Sequence, residues 1–228
     1  MRTAVRGLGE VLVTAGLVLL LFVAWQLWWT DVAAGREQQG IAGDLRGSWQ
    51  EAEPVPAGQQ LGDPPVAEAP AEGQSFGLVH IPRFGEDYVV PVTEGIGLDD
   101  VLNKGVLGHY PGTVMPGDVG NFAVAGHRVT YGRPLNRIAE LRPGDAVVVE
   151  TEQAWYVYRM RDAAVVTPDR VDVVAPVPGD PAAEPSERLM TLTACHPMYS
   201  ARERYVVHAV LESWQPRGDG EPAVLAAG

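Results

Sequence analysis

Turn-forming residues interrupt most of this sequence at short, regular intervals. Between residues 76 and 215 a glycine or proline turn signal recurs every eight to twelve residues, as at Pro111-Gly112 and Pro143-Gly144. The segments between these turns are short and rich in Val, Tyr, Leu and Thr, which favours β-strands at 78–81, 88–92, 121–125, 146–151, 154–161, 189–194 and 205–211. This pattern predicts an all-β domain, either a closed barrel or a sandwich. Shorter stretches at 98–104 and 134–141 have the apolar spacing of single helical turns.

An apolar segment precedes this domain. Residues 11–29 are interrupted only by Thr14 and Gln26, and at about 1.5 Å per residue such a helix just crosses a hydrocarbon core of about 30 Å. Tryptophans gather at its far end, where aromatic rings prefer the headgroup region, and Arg2 and Arg6 precede it and mark the cytoplasmic side. A transmembrane helix is therefore favoured over a cleaved signal peptide, since the run is long for one and no clean cleavage site follows.

The composition divides the chain into five regions. Residues 1–10 are the predicted cytoplasmic amino terminus, and 11–29 are the predicted transmembrane helix. Residues 30–75 contain many Pro, Gly, Ala, Glu and Gln and few large apolar side chains, which predicts a flexible extracellular spacer. The globular domain follows at 76–215, and a disordered tail is expected at 216–228.

Charge and motifs exclude several classes of function. The formal net charge of −12 disfavours a nucleic-acid partner, because such a surface repels phosphates. The sequence contains no phosphate-binding glycine loop, no dinucleotide fingerprint, no zinc spacing and no Gly-x-Ser-x-Gly motif. We therefore expect neither a cofactor nor a metal.

Cys195 is the only cysteine of the chain, so an internal disulfide is impossible. It follows the predicted strand 189–194 and precedes His196-Pro197, where a proline prevents a central strand from continuing. A thiol at the end of a rigid strand is held firmly and stays open to substrate, as a nucleophile must be. The alternative is a buried structural cysteine.

A nucleophilic thiol needs a base that accepts its proton and later returns it, most often a histidine. Three of the five histidines are weaker candidates because they lie inside predicted strands or directly beside the thiol: His80, His208 and His196. His109, in a turn, and His127, just beyond the strand 121–125, compete nearly equally. The position of His127 at the end of a strand resembles that of Cys195 and slightly favours it.

Attack on a carbonyl creates an oxyanion that a cation can stabilise. Arg202 and Arg204 follow Cys195 and lead into the last predicted strand. They are two residues apart and would point to the same side of a strand, so periodicity leaves both open.

Two sequence blocks resemble a known family. TLTAC at 191–195, with an arginine downstream, and AGHR at 125–128 are similar to the signature regions of sortases. CHP at 195–197, SARER at 200–204, GNFAVAGHR at 120–128 and YG at 131–132 resemble class E, the actinobacterial housekeeping group. The resemblance covers about 76–212.

The resemblance implies an eight-stranded sortase β-barrel with short helices, and catalysis by Cys195, His127 and Arg204. Such enzymes cut a carboxyl-terminal sorting signal of exported proteins, of LAxTG or LPxTG type, between Thr and Gly. They keep the acyl group as a thioester and pass it to an amine of a cell-wall precursor. Tyr88 is the residue that the resemblance suggests for selecting the alanine of the signal.

The sequence departs from the family pattern immediately before the cysteine. Ala194 stands where a threonine is usual, so that hydroxyl contact with substrate is missing and Thr193 is the residue placed to compensate. Two other functions stay open: a thiol endopeptidase that releases surface proteins by hydrolysis, and a non-catalytic β-domain that binds the cell surface.

Overall fold

The structure, a computed structural model, describes residues 2–51 and 62–226. Eight strands close into a barrel in the order β1-β2-β3-β4-β7-β8-β6-β5, and β5 pairs with β1. The strands are β1 Ser75–His80, β2 Val89–Glu94, β3 Leu107–His109, β4 Gly120–Ala125, β5 Ala146–Thr151, β6 Ala154–Val166, β7 Arg188–His196 and β8 Glu203–Pro216. The predicted closed eight-stranded barrel is confirmed.

The strands differ from the sequence prediction in number and length. β3 was not predicted, because it has only three residues and a glycine at its centre. β6 and β8 are longer than predicted, since they pair with each other along almost their whole length. Helical turns at Leu102–Lys104 and Ile138–Glu140 fall within the two stretches with helical spacing, and further 3-10 turns lie at Pro82–Phe84, Val171–Val174 and Arg217–Asp219.

Apolar side chains fill the barrel and fix its register. Phe122 on β4, Tyr158 on β6 and Leu192 on β7 are all fully buried in one cluster. A one-residue slip of any of these strands would turn such side chains to the outside, at about 25 cal/mol for each Å² of apolar surface exposed. Two strand pairs are parallel, β2 with β3 and β4 with β7, and the second pair places the candidate site.

The first helix, α1 (Arg2–Glu51), begins with an apolar segment. Its segment Val5–Val23 is long and apolar enough to cross a membrane by length and composition, and the described side chains within it are exposed. This candidate span begins and ends earlier than the predicted 11–29. It includes Arg6, whose guanidinium pairs with Glu10 at 3.0 Å.

The second half of α1 differs from the predicted flexible spacer over 30–75. The helix continues to Glu51 because this half docks on the barrel, where Ala34 and Trp49 are buried. Asp31 accepts a hydrogen bond from the amide of Gly132 at 3.2 Å. Two well-placed apolar residues and a few polar contacts therefore order a segment of otherwise polar composition. Residues 52–61 lie outside the described residues.

The carboxyl-terminal segment also differs from the disorder predicted for 216–228. After β8 the chain forms the turn Arg217–Asp219 and the short helix α2 (Ala223–Ala226). Val224 and Leu225 pack against a separate apolar cluster on β5 and β6, which explains why the tail folds back. Residues 227–228 lie outside the described part of the chain.

Candidate active site

The parallel pair of β4 and β7 brings two reactive residues to one end of the barrel. Ala125 of β4 pairs with Thr193 of β7, and the amide of Gly126 donates to the Thr193 carbonyl at 3.0 Å. His127 and Cys195 each lie two residues beyond this pair, one after β4 and the other near the end of β7. Because parallel strands leave a sheet in the same direction, the candidate base and the candidate nucleophile emerge side by side.

The antiparallel pair of β7 and β8 adds a cation. Cys195 lies directly opposite Arg204, so the two side chains share a face of the sheet with Cβ atoms about 4.5–5.5 Å apart. Arg202 lies before the first residue of β8 and is exposed. The register therefore distinguishes the two arginines, which sequence periodicity could not do.

The guanidinium of Arg204 is held by carbonyl groups. Its Nη1 donates to the carbonyl oxygens of Ala201 and Glu203, both at 3.0 Å. Within residues 2–51 and 62–226 no carboxylate forms an ion pair with it, so its charge is available to an incoming anion. Arg204 also lines a cavity of about 180 Å³ with Thr193, Tyr110 and the connection between β6 and β7.

The His127 side chain is half-buried, and among the described residues one of its nitrogens has a hydrogen-bond partner. Its Nε2 lies 3.0 Å from Oδ1 of Asn103, and its ring stacks on Tyr131 with the centroids 5.2 Å apart. Burial disfavours the charged imidazolium and lowers the pKa of His127 below its ordinary value. The neutral imidazole that a general base requires is therefore the dominant form at neutral pH.

His109, the competing candidate, is fully buried and has both nitrogens engaged. Its Nδ1 lies 2.5 Å from a carboxylate oxygen of Glu94, and its Nε2 lies 2.8 Å from the hydroxyl of Thr113. The ring also packs against Phe122 at 5.1 Å. With both nitrogens satisfied and no exposed surface, His109 has the surroundings of a structural residue.

The remaining histidines also have identifiable partners. His80 Nε2 lies 3.1 Å from a Glu150 oxygen, and His208 Nδ1 lies 2.9 Å from the Thr191 hydroxyl. His196 follows Cys195, but its Nδ1 accepts a hydrogen bond from a neighbouring arginine. His80 and His208 are satisfied within the fold, as expected for residues inside strands. His196 was expected in a loop, but it is the last residue of β7, because the strand pairing continues to Glu203 of β8.

Arg128 is a site residue that the sequence reasoning did not single out. It is buried, and its Nη1 donates to the Cys195 carbonyl at 3.2 Å and to His196 Nδ1 at 2.7 Å. Its guanidinium also lies 5.6 Å from the ring centroid of Tyr205. Arg128 thus ties the segment that carries His127 to the end of β7. In the sequence, only its position directly after His127 in the block AGHR could have indicated that Arg128 belongs to the site.

Thr193 and Ala194 occupy different surroundings. The Thr193 hydroxyl lies 2.9 Å from the Tyr110 hydroxyl at the wall of the cavity. Ala194 is 3% exposed and belongs to the core cluster, so its methyl group points away from that cavity. Of the two, only Thr193 offers a side chain to a ligand bound beside Arg204.

Tyr88 contacts the segment that follows His127. Its hydroxyl donates to the Pro134 carbonyl at 2.7 Å, and burial raises the pKa of the phenol well above its ordinary value. The next residue, Leu135, donates its amide to the His127 carbonyl at 3.0 Å. Tyr88 is therefore connected to His127 through one short stretch of backbone.

No group of three or more His, Cys, Asp or Glu side chains in the described part of the chain could hold a metal ion. The chemistry available at this end of the barrel is that of a thiol, an imidazole and a guanidinium. This set can form and resolve an acyl intermediate, with the thiol as nucleophile, the imidazole as proton carrier and the guanidinium beside the oxyanion.

Comparison with known proteins gives consistent matches. The family model described as the Sortase domain matches residues 79–212. Sortase SrtE1 of Streptomyces coelicolor is 38% identical over 98% of this chain, and the chain spans 62% of the length of that relative. Sortase SrtE2 of the same organism is 36% identical, with 90% of this chain and 80% of the relative covered.

Solved structures match the barrel as well. A structure of sortase E1 from Streptomyces coelicolor with a tripeptide in its active site is 41% identical, with a TM-score of 0.63, 68% of this chain and 99% of that chain covered. The SrtA sortase of Actinomyces oris is 38% identical, with a TM-score of 0.69, 72% of this chain and 94% of that chain covered.

Proposed function

Because this chain belongs to the sortase family, a family of cysteine transpeptidases, we propose that it is a class E enzyme that attaches exported proteins to the cell wall. The observation that carries the proposal is the meeting of Cys195, His127 and Arg204 at one end of the barrel. Three neighbouring strands lead to these residues. His127 follows β4, and Cys195 of β7 lies opposite Arg204 of β8.

The proposed reaction has two acyl transfers. The Cys195 sulfur attacks the carbonyl carbon of the substrate threonine, and the thiol proton passes to His127. The guanidinium of Arg204 stabilises the oxyanion, which collapses as the C–N bond breaks and the glycine amine leaves with the proton from His127. An amine acceptor then loses a proton to His127 and attacks the thioester, so that an amide forms and the thiol is restored.

The proposed substrate is an extended peptide of the form Leu-Ala-x-Thr-Gly. The related sortase E1 holds a tripeptide in its active site, which supports a peptide ligand at the corresponding end of this barrel. The cavity that Thr193 and Arg204 line adjoins this end. Tyr88 is proposed to favour alanine at the second position by closing off the space beside the His127 segment.

We also propose that α1 anchors the enzyme with its amino terminus in the cytoplasm and the barrel outside. The candidate span Val5–Val23 and the tryptophan-rich segment that follows it support this arrangement. The partners would be exported proteins with sorting signals and an amine of a cell-wall precursor. A membrane-impermeant thiol reagent should label Cys195, the sole cysteine, in intact protoplasts, and labelling only after lysis would contradict the topology.

Product analysis tests the proposed activity. The full chain in detergent micelles is incubated with a Leu-Ala-x-Thr-Gly peptide, with and without a free amine, and the products are identified by mass spectrometry. We expect cleavage between Thr and Gly and a ligated product that increases with the amine. A hydrolysed product alone, at every amine concentration, would indicate an endopeptidase instead. Cys195→Ala is the matched control and should give neither product.

A further inference from the structure

The hydrogen-bond partner of the His127 ring indicates which of its nitrogens carries the proton. Nε2 of His127 lies 3.0 Å from Oδ1 of Asn103, and a carboxamide oxygen can only accept a hydrogen bond. Nε2 must therefore carry the hydrogen of the neutral ring. This leaves the lone pair, and with it the basic function, on Nδ1.

The assignment depends on the orientation of the Asn103 amide, and Asp99 determines that orientation. Nδ2 of Asn103 lies 3.1 Å from a carboxylate oxygen of Asp99, and a carboxylate oxygen can only accept a hydrogen bond. If the amide were reversed, its oxygen would face that carboxylate and the two acceptors would repel each other. Asp99 therefore keeps the amide oxygen turned toward His127.

The segment that carries Asn103 packs against the segment of Tyr131, whose ring stacks on His127, and against α1. The turn Leu102–Lys104 ends at Gly105 with φ +82°, a conformation that glycine adopts without strain. A Cβ atom at Gly105 would come within 2.8 Å of the Tyr131 carbonyl and 2.9 Å of the Ala34 Cβ. Gln38 of α1 also donates to the Gly105 carbonyl. Asn103 at the ring edge and Tyr131 on the ring face thus belong to segments in direct contact.

We propose that Asn103 is a positioning residue for the transpeptidation, and that Asp99 and Asn103 together hold His127 as the Nε2–H tautomer. The inference rests on the proposed function. Nδ1 then takes the proton as the S–H bond of Cys195 breaks and the C–S bond forms, and it returns this proton to the leaving amine. The Nε2–H bond stays intact throughout and points at the Asn103 oxygen, which also stabilises the imidazolium.

The tautomer can be measured without any substrate. We suggest ¹⁵N-histidine labelling of the full chain in detergent micelles at about pH 8, with His127→Gln to assign the His127 signals among those of the five histidines. Wild type should show one protonated nitrogen at Nε2 and a lone-pair shift at Nδ1. Asn103→Ala should give averaged shifts of the two tautomers. The exchange variant Asp99→Asn/Asn103→Asp keeps an acceptor oxygen for His127 and a donor between positions 99 and 103, and should restore the Nε2–H pattern.

Kinetics then link the tautomer to the reaction. Asn103→Ala should lower kcat/KM at least about tenfold, as part of the ~10²–10⁴ that a positioned general base contributes. The exchange variant Asp99→Asn/Asn103→Asp should lose less than Asn103→Ala does. Asp99→Ala should give a smaller loss with a partly averaged tautomer. Asp100→Ala removes the neighbouring exposed carboxylate and should match wild type in both measurements.

The two hypotheses fail in different ways. A wild-type spectrum with the proton on Nδ1, or an unchanged tautomer and unchanged kcat/KM in Asn103→Ala, would overturn the positioning role even if the enzyme ligates peptides. Absence of ligation together with the expected tautomers would instead contradict the proposed function and leave the Asp99–Asn103–His127 arrangement in place.

Discussion

His109 ends β3 and His127 lies two residues beyond the neighbouring strand β4, yet the two histidines differ in burial and in the number of ring nitrogens that have partners. His109 is fully buried, and both of its nitrogens have partners, one of them the carboxylate of Glu94. His127 is half-buried and has one nitrogen held by a neutral amide. The difference teaches that a histidine becomes available for proton transfer when the fold engages one nitrogen and leaves the other open.

The largest expected effect is a loss of activity, without a loss of stability, when the imidazole of His127 is removed. His127→Ala should lower kcat/KM by about 10²–10⁴, because the thiol loses its proton acceptor, and the free energy of unfolding should stay near that of wild type. Steady-state kinetics with the sorting-signal peptide and denaturant unfolding in micelles measure the two quantities. If His127→Ala kept most of its activity, the roles assigned to the two histidines would have to be exchanged.

Arg204, on β8, sharpens the comparison, because we propose that it takes part in the same reaction. Arg204→Ala should lower kcat/KM by about 10²–10³, since a donor to the oxyanion is lost. Arg204→Lys should recover only part, because a point charge cannot reproduce the planar set of donors of arginine. Arg202→Ala, outside the strand, is the control and should cost much less. The reverse order of the two alanine variants would move the role to Arg202.

At His109 we expect the opposite result, a loss of stability with little change in activity. His109→Ala should lower the free energy of unfolding by about 3 kcal/mol, because the carboxylate of Glu94 is left buried without its partner. The kcat/KM of the folded fraction should change little. Denaturant unfolding measures the loss, with His127→Ala as the control that lacks it. An unchanged stability would show that the buried pair contributes nothing to the fold.

The smallest expected effect is a dependence of stability on pH. Burial lowers the pKa of both His127 and His208 in the folded state, whereas in the unfolded chain both titrate near about 6.5. As the pH falls below about 6.5, the unfolded state therefore binds more protons than the folded state does. The contribution of these two histidines to the free energy of unfolding is complete above about pH 6.5 and decreases as the pH falls toward their folded pKa values. His208→Gln should flatten this dependence in denaturant titrations. A stability that rises on acidification would contradict it.

The strand pattern predicted an all-β domain and left a barrel and a sandwich open, and the resemblance to sortases indicated the barrel that the structure has. Seven strands had the residue types and turn boundaries of strands, and the proline at position 197 located Cys195 at the end of β7. β3 escaped prediction because three residues around a glycine carry no periodicity. The docked half of α1 escaped because its order comes from contacts with distant residues, such as Asp31 with Gly132.

The candidate site was predictable only in part, for a similar reason. Cys195 and His127 each stand at the end of a strand, a feature visible in the sequence. The choice of Arg204 over Arg202 from the residues alone required the pairing register of β7 and β8, which periodicity does not contain. Asn103 and Arg128 make hydrogen bonds across the fold to residues 24 and 67 positions away. No local pattern marks such contacts.

The most direct test of this account is the intact mass of the protein during reaction. The full chain in micelles is mixed with the Leu-Ala-x-Thr-Gly peptide without an added amine, quenched in acid and analysed by mass spectrometry. We predict an adduct with the mass of the acyl portion ending at threonine, located on Cys195, that disappears when an amine is added and does not form in Cys195→Ala. Cleavage of the peptide by Cys195→Ala, or an adduct on another residue, would contradict the central claim.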